Sequence, residues 1–150
     1  GRKANDKLSS RIGLERQVDI LIEKNESFTE YFDYWNNNVH CILVDEAQFL
    51  TSSQVEELWY VSKMYDIPVI CYGLRTDFKS RLFPGSKRLF ELADTIEEIK
   101  TVCDCGGKTI ITARVDKDGN VLKDGPQTLV GGDDRYISIC RKCWKHSISH

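Results

Sequence analysis

The sequence predicts an α/β fold: a partial nucleotide-binding core built on a parallel sheet over residues 1–100, followed by a small metal-binding domain over residues 101–150. Three observations carry this. Residues 41–44 form a short apolar run that ends in Asp45-Glu46, as a buried parallel strand does when it delivers carboxylates to a sheet edge. A helical pattern and a second apolar run follow, giving a strand–helix–strand unit whose two strands must be parallel. The last third of the chain then carries four cysteines in two close pairs.

Each element follows from local pattern. Residues 1–16 are polar and basic and predict a mobile loop. Residues 17–35 place Val18, Ile20, Leu21, Phe28, Tyr31 and Trp35 at roughly helical spacing, which predicts one broken helix or two short ones. Asn36-Asn37-Asn38 predicts a turn ahead of the strand at 40–44. Thr51 and Gln54 stand in capping-box spacing at the head of a helix running to about Tyr65, with Val55, Leu58 and Val61 on its apolar face. Asp66-Ile67-Pro68 ends that helix. Residues 69–72 then read as a strand closed by Gly73. A loop over 74–85 leads to a short helix at roughly 87–93, and residues 96–102 read as a third strand. Residues 116–120, Asp-Lys-Asp-Gly-Asn, signal a hairpin turn.

Composition narrows the function. A formal net charge of −2 supplies no general attraction to nucleic acid. No apolar run is long enough to span a membrane. Cys41 and Cys71 sit inside apolar strand runs and read as buried thiols. The remaining four, Cys103-x-Cys105 and Cys140-x-x-Cys143, flank a long hairpin. Two facing knuckles can hold a tetrahedral Zn²⁺ through four thiolates, and this pattern belongs to a reducing compartment rather than a disulfide framework. Gly106-Gly107 can supply the tight turn that a Cys-x-Cys needs to converge on one ion. His146 stands as a reserve ligand. With no open ligand position, the metal is expected to be structural.

The Asp45-Glu46 pair has a chemical reading. Open α/β sheets bind ligands at the carboxyl ends of their strands. In P-loop nucleotide enzymes the strand-end Asp holds Mg²⁺ against the phosphates, and a neighbouring acid can deprotonate the attacking group. The matching phosphate loop, G-x-x-x-x-G-K-[ST], is not found in residues 1–39. Gly107-Lys108-Thr109 imitates its end, but Val102 stands where the first Gly belongs. The expectation is that a strand–loop–helix unit carrying that loop precedes Gly1, and that this chain alone does not phosphorylate.

Three stretches then point to one family. Residues 44–49 (Val-Asp-Glu-Ala-Gln-Phe), residues 71–78 (Cys-Tyr-Gly-Leu-Arg-Thr-Asp-Phe), and Gly131-Gly132 followed by Tyr136 and Cys140-Arg-Lys-Cys143 resemble the thymidine kinases of the zinc-containing, RecA-like type. The resemblance runs from Ser9 to Trp144. It implies a RecA-like core and a zinc-held "lasso" domain over the nucleoside. It also implies a cytoplasmic homotetramer that transfers the γ-phosphoryl group of ATP to the 5′-hydroxyl of thymidine or deoxyuridine, with no role for nucleic acid or membrane. By position, it implies Glu46 as general base and Asp45 as the Mg²⁺ acid. Asp45, Glu46, Ala47 and Gln48 would border ATP, and Phe49, Leu74, Phe78 and Phe83 would wall the nucleoside. Leu129, Gly131 and Tyr136 would close over the base, and Cys103, Cys105, Cys140 and Cys143 would bind zinc.

Two other classes fit parts of the chain. Asp45-Glu46-Ala47-Gln48 is similar to the Asp-Glu-Ala-Asp box of helicases, but a helicase needs a second such domain and an arginine-rich motif where this chain has cysteines. A non-catalytic zinc-binding module is the other alternative. Arg75 and Arg81 receive no role.

Overall fold

The computed structural model describes residues 2–3, 7–9, 15–127 and 135–149. The first strands are β1 (Arg2–Lys3), β2 (Lys7–Ser9), β3 (Glu15–Gln17) and β4 (Ile20–Leu21). They pair antiparallel, β1 with β4 and β2 with β3, so the described part of 1–16 is ladder and not the expected loop. Residues 17–22 likewise extend where helical spacing suggested a helix, because Ile20 and Ile22 reach the core from extended backbone.

A 3₁₀ turn over Thr29–Tyr31 leads into α1 (Phe32–Asn38). The three asparagines expected to form a turn instead complete this helix. Asn37 Nδ2 and Asn38 Nδ2 donate back to the carbonyls of Asp33 and Tyr34 at 2.7 and 2.9 Å. Trp35, 5% exposed and stacked on Tyr31, fixes the helix from below. Packing therefore overrides the turn preference of Asn.

The strand–helix–strand unit forms as predicted. β5 (Ile42–Val44) and β6 (Val69–Cys71) are parallel, with Ile42 opposite Val69 and Val44 opposite Cys71. Their crossover helix α2 (Ser52–Met64) opens with the full capping box: Gln54 N donates to Thr51 Oγ1 and Thr51 N to Gln54 Oε1. The Gln54 amide then donates to the carbonyls of Glu23 and Glu26, at 2.7 and 2.9 Å, so the cap also anchors the preceding loop. Val55, Leu58 and Val61, all buried, face Phe28, Trp35, Ala47, Leu50 and Ile67 in one core. Each such side chain contributes roughly 1.5–3 kcal/mol by leaving water.

α3 (Pro84–Leu92) starts three residues earlier than expected, with Pro84 in its first turn. Gly85 lies inside the helix. A Cβ there would sit 2.5 Å from the Leu50 carbonyl oxygen and 2.8 Å from those of Ala47 and Gln48, so only glycine lets α3 reach the turn after β5.

The expected third strand at 96–102 shrinks to β7 (Thr101–Val102), paired with β8 (Lys108–Thr109). Ile96 and Ile99 are 57% and 77% exposed and have no sheet to join. The long hairpin is β9 (Ile111–Val115) against β10 (Arg135–Ile139), followed by α4 (Arg141–Ile148). Its Asp116 turn forms as predicted, the Asp116 carboxylate accepting from the amides of Asp118 and Asn120. A second small core gathers Cys103, Ile111, Ala113, Ile139 and Cys140. Cys41, expected to be buried, is exposed, because it precedes the paired part of β5. Cys71 is half-buried, and burial pushes its thiol up to about 11.

Candidate functional site

The acid pair stands at the carboxyl end of β5, with Asp45 and Glu46 both exposed. Glu46 has φ +51° and ψ +39°, a left-handed backbone that costs a non-glycine residue about 1–2 kcal/mol. Three contacts hold it there. Ala47 N donates to the Tyr72 carbonyl at 2.9 Å, Phe49 N donates to the Glu46 carbonyl at 3.1 Å, and Gln48 Nε2 donates to Glu46 Oε2. Gln48 is 2% exposed, and its other amide atom, Oε1, accepts from Leu74 N at 3.1 Å. One buried amide thus ties the acid after β5 to the loop after β6. Gly73 makes room for it, since a Cβ there would fall 2.7 Å from Gln48 Oε1. Asp45 Oδ1 accepts from Glu46 N at 2.9 Å and its carboxylate otherwise faces solvent. Strained backbone at a carboxylate on a sheet edge is a recurring mark of functional sites.

Beside these acids lies a hollow of about 150 Å³ lined by Gln48, Phe49, Thr51, Phe83, Gln127 and Lys24, among others. Phe49 and Phe83 meet edge to face at 5.7 Å. A larger depression of about 360 Å³ beside α2 is an unpromising site. Its acids are already engaged: Glu57 accepts from Ser27 and from Phe28 N, and Glu56 pairs with Arg88.

Of the aromatic and aliphatic wall residues singled out in the sequence, Phe49 and Phe83 therefore line the hollow. Leu74 and Tyr136 are 40% and 37% exposed, Phe78 is buried, and none of the three lines it. Leu129 and Gly131 lie outside the described residues. The 74–83 loop is braced by Asp77, whose Oδ1 accepts from the amides of Lys79 and Arg81 and whose Oδ2 accepts from Gln127 Nε2 at 2.9 Å.

Arg114 is the residue that sequence reasoning missed. It is 1% exposed, lies with Cζ 3.9 Å from the centroid of the Phe78 ring, and donates to Tyr136 Oη and to the carbonyls of Pro126 and Gln127. Strand alternation marks it as outward-facing, opposite Ile111, Ala113 and Val115. Only its register partner Tyr136 could have signalled a role.

The second centre is the thiol cluster. The sulfurs of Cys103, Cys105, Cys140 and Cys143 lie within 4.8 Å of one another, and Cys105 and Cys140 are 3.6 Å apart. A tetrahedral Zn–S₄ centre with bonds of about 2.3 Å places its sulfurs about 3.8 Å apart, so this donor set fits such an ion. Gly106, at φ +88°, turns the Cys-x-Cys so that Gly106 N reaches the Cys103 carbonyl and Gly107 N reaches Cys105 Sγ. Cys140 caps α4, its sulfur accepting from Cys143 N. Hydrogen bonds from the amides of Cys105 and Cys140 bring the Cys103 thiol down to about 7, and contacts with the Cys105 and Cys140 sulfurs push the Cys143 thiol up to about 12. His146, the reserve ligand, is not among the grouped donors.

A left-handed acid at the end of a parallel strand, an aromatic hollow and a four-thiol cluster that fits a metal ion define the class: an α/β protein of the nucleotide-handling kind with an appended cysteine knuckle. Comparison with known proteins agrees. The thymidine kinase family model matches residues 1–144. A thymidine kinase of Pasteurella multocida is 45% identical over 144 residues, covering 95% of this chain and 75% of that protein. One from Mannheimia succiniciproducens is 46% identical over 136 residues (90% and 70%), and one from Salmonella choleraesuis is 44% identical over 143 (95% and 70%). The chain belongs to the thymidine kinase family. This removes the helicase reading of Asp45-Glu46-Ala47-Gln48.

Proposed function

We propose that this chain serves the transfer of the ATP γ-phosphoryl group to the 5′-hydroxyl of thymidine, and that Glu46 is the general base. The observation that carries the assignment is the strained backbone of Glu46, held at the strand end by the buried Gln48 amide in a chain of the thymidine kinase family. A sugar hydroxyl is a weak nucleophile, and a carboxylate within hydrogen-bond reach takes its proton as the new P–O bond forms.

Asp45 has an exposed carboxylate that suits a hard cation, and a magnesium ion there would neutralise phosphate charge. Asp45, Ala47 and Gln48 would then border the triphosphate. Phe49 and Phe83 offer aromatic surface to a pyrimidine, and the family resemblance adds Leu74, Phe78, Leu129, Gly131 and Tyr136 as nucleoside contacts. The thiol cluster takes structural zinc, since four sulfurs leave no open position. A RecA-like core over 1–100 and a zinc-held domain over 101–150 are the organisation this reading implies, assembled as a cytoplasmic homotetramer. Free thiols agree with a reducing compartment, and among the described residues no helix is long and apolar enough to cross a membrane.

Glu46→Gln, made in the thymidine-phosphorylating enzyme, tests the base. It keeps shape and a hydrogen bond but cannot accept a proton, so kcat in thymidine phosphorylation should fall by roughly 10²–10⁴-fold with thymidine KM nearly unchanged. A near-normal kcat in the folded variant would leave positioning alone as the mechanism.

A further inference from the structure

We propose that Arg114 is a positioning residue for nucleoside binding, clasping both approaches to the pocket onto the ring of Phe78 and holding the Tyr136 hydroxyl as a hydrogen-bond donor toward the substrate. The inference rests on the reading that Phe78 and Tyr136 border the nucleoside.

Burying a guanidinium is costly unless every donor finds a partner. No carboxylate lies within ion-pair distance of Arg114 among the described residues, and the partners described there are neutral. The three nitrogens fan out to three oxygens: Nε to Tyr136 Oη at 3.0 Å, Nη1 to the Pro126 carbonyl at 2.8 Å and Nη2 to the Gln127 carbonyl at 3.2 Å. The flat face lies on Phe78. A planar fork that bonds in its own plane and stacks through its face is a task only arginine performs; lysine offers a point charge with neither property. Gly125 permits the approach, since a Cβ there would stand 3.2 Å from Arg114 Nη1 and 3.6 Å from the Phe78 ring.

The site is therefore built around the cation. Pro126 and Gln127 come before residues 128–134 in the chain, and Tyr136 comes after them. Arg114 holds both to one aromatic ring of the 74–83 loop. Asp77, next to Phe78, takes the Gln127 side chain as a second tie.

The phenol bond has a chemical consequence. A tyrosine hydroxyl both accepts and donates. Arg114 Nε occupies the accepting role, which leaves the O–H hydrogen to donate elsewhere, and the Tyr136 ring is partly exposed. The pocket so arranged recognises a neutral acceptor oxygen of the nucleoside.

The test is a double-mutant cycle on thymidine KM, using Arg114→Lys, Tyr136→Phe and their combination in the thymidine-phosphorylating enzyme. Arg114→Lys should raise thymidine KM by roughly 10- to 100-fold, the scale expected when a binding group is misplaced by about an ångström. ATP KM and zinc content should stay at the parent level. Tyr136→Phe should raise KM alone but add little on the Arg114→Lys background. Unchanged thymidine KM in Arg114→Lys, or independent effects that multiply in the double variant, would overturn the proposal. Arg114→Met, which keeps length without charge, should show the same KM pattern if Arg114→Lys does not fold. Phe49→Ala separates this from the pocket assignment, since Phe49 lines the hollow and packs on Phe83, while the Arg114 guanidinium packs on Phe78. An unchanged KM there would refute the pocket itself.

Discussion

Replacing Gln48 with Met keeps the length and volume of a buried side chain and removes both of its polar contacts. Two terms set the cost. Leu74 N loses its acceptor at 3.1 Å, and a part-buried donor left unpaired costs about 1–3 kcal/mol. The bond to Glu46 involves an exposed carboxylate that water can solvate instead, so its loss costs at the lower end, about 0.5–1.5 kcal/mol. Burying a thioether in place of an amide returns roughly 1 kcal/mol. The net loss is about 0.5–3.5 kcal/mol, which for a chain of this size lowers Tm by roughly 1–14 °C. Function should suffer separately. Glu46, released from the amide, samples other orientations, and kcat should drop about tenfold while zinc content holds. Denaturant unfolding gives the first quantity and steady-state thymidine phosphorylation the second. A Gln48→Met protein with parent stability and parent kcat would show that the amide neither braces the strand ends nor aims Glu46.

Three further outcomes are expected. The protein should carry one zinc per chain, and Cys143→Ser should abolish tight binding and loosen residues 101–149, measured by elemental analysis and amide exchange, because structural zinc binding is coupled to folding. Cys71 titrates near 9 in an unfolded chain and near 11 when folded, so the folded state holds its proton more tightly. Its contribution to stability is complete below pH 9 and fades as pH rises through 11; Cys71→Ala should flatten that decline in pH-dependent unfolding. Alkylation at pH 8 should label exposed Cys41 well before Cys71, which peptide mapping would show.

Much of this was legible in the sequence because the signals were local. The capping box at Thr51 and Gln54, the parallel pair around α2, the Asp116 turn and the thiol cluster all depend on neighbours or on fixed cysteine spacing. The errors fell where distant packing decides. Asn36–Asn38 stayed helical because Trp35 is anchored in the core, and residues 96–100 stayed unpaired because no strand lay alongside. Gly85 looked like a linker before a helix, yet it is a contact surface for the turn that follows Glu46. Arg114 was hidden for the same reason: a strand pattern assigns it to solvent, and only the distant Phe78 ring and the Pro126–Gln127 segment cover it in the fold.

Trp144 follows Cys143, one of the four clustered thiols, directly in α4, and its indole nitrogen donates to the Phe78 carbonyl at 3.2 Å. The thiol cluster thus has a mechanical arm reaching the 74–83 loop. That same loop supplies Leu74 N to the Gln48 amide that holds Glu46. A change at the four sulfurs is therefore passed to one segment that serves both the Phe78 ring and the brace of the strand-end acid. On the function proposed above, acceptor affinity and chemistry would weaken together as a trace metal ran short.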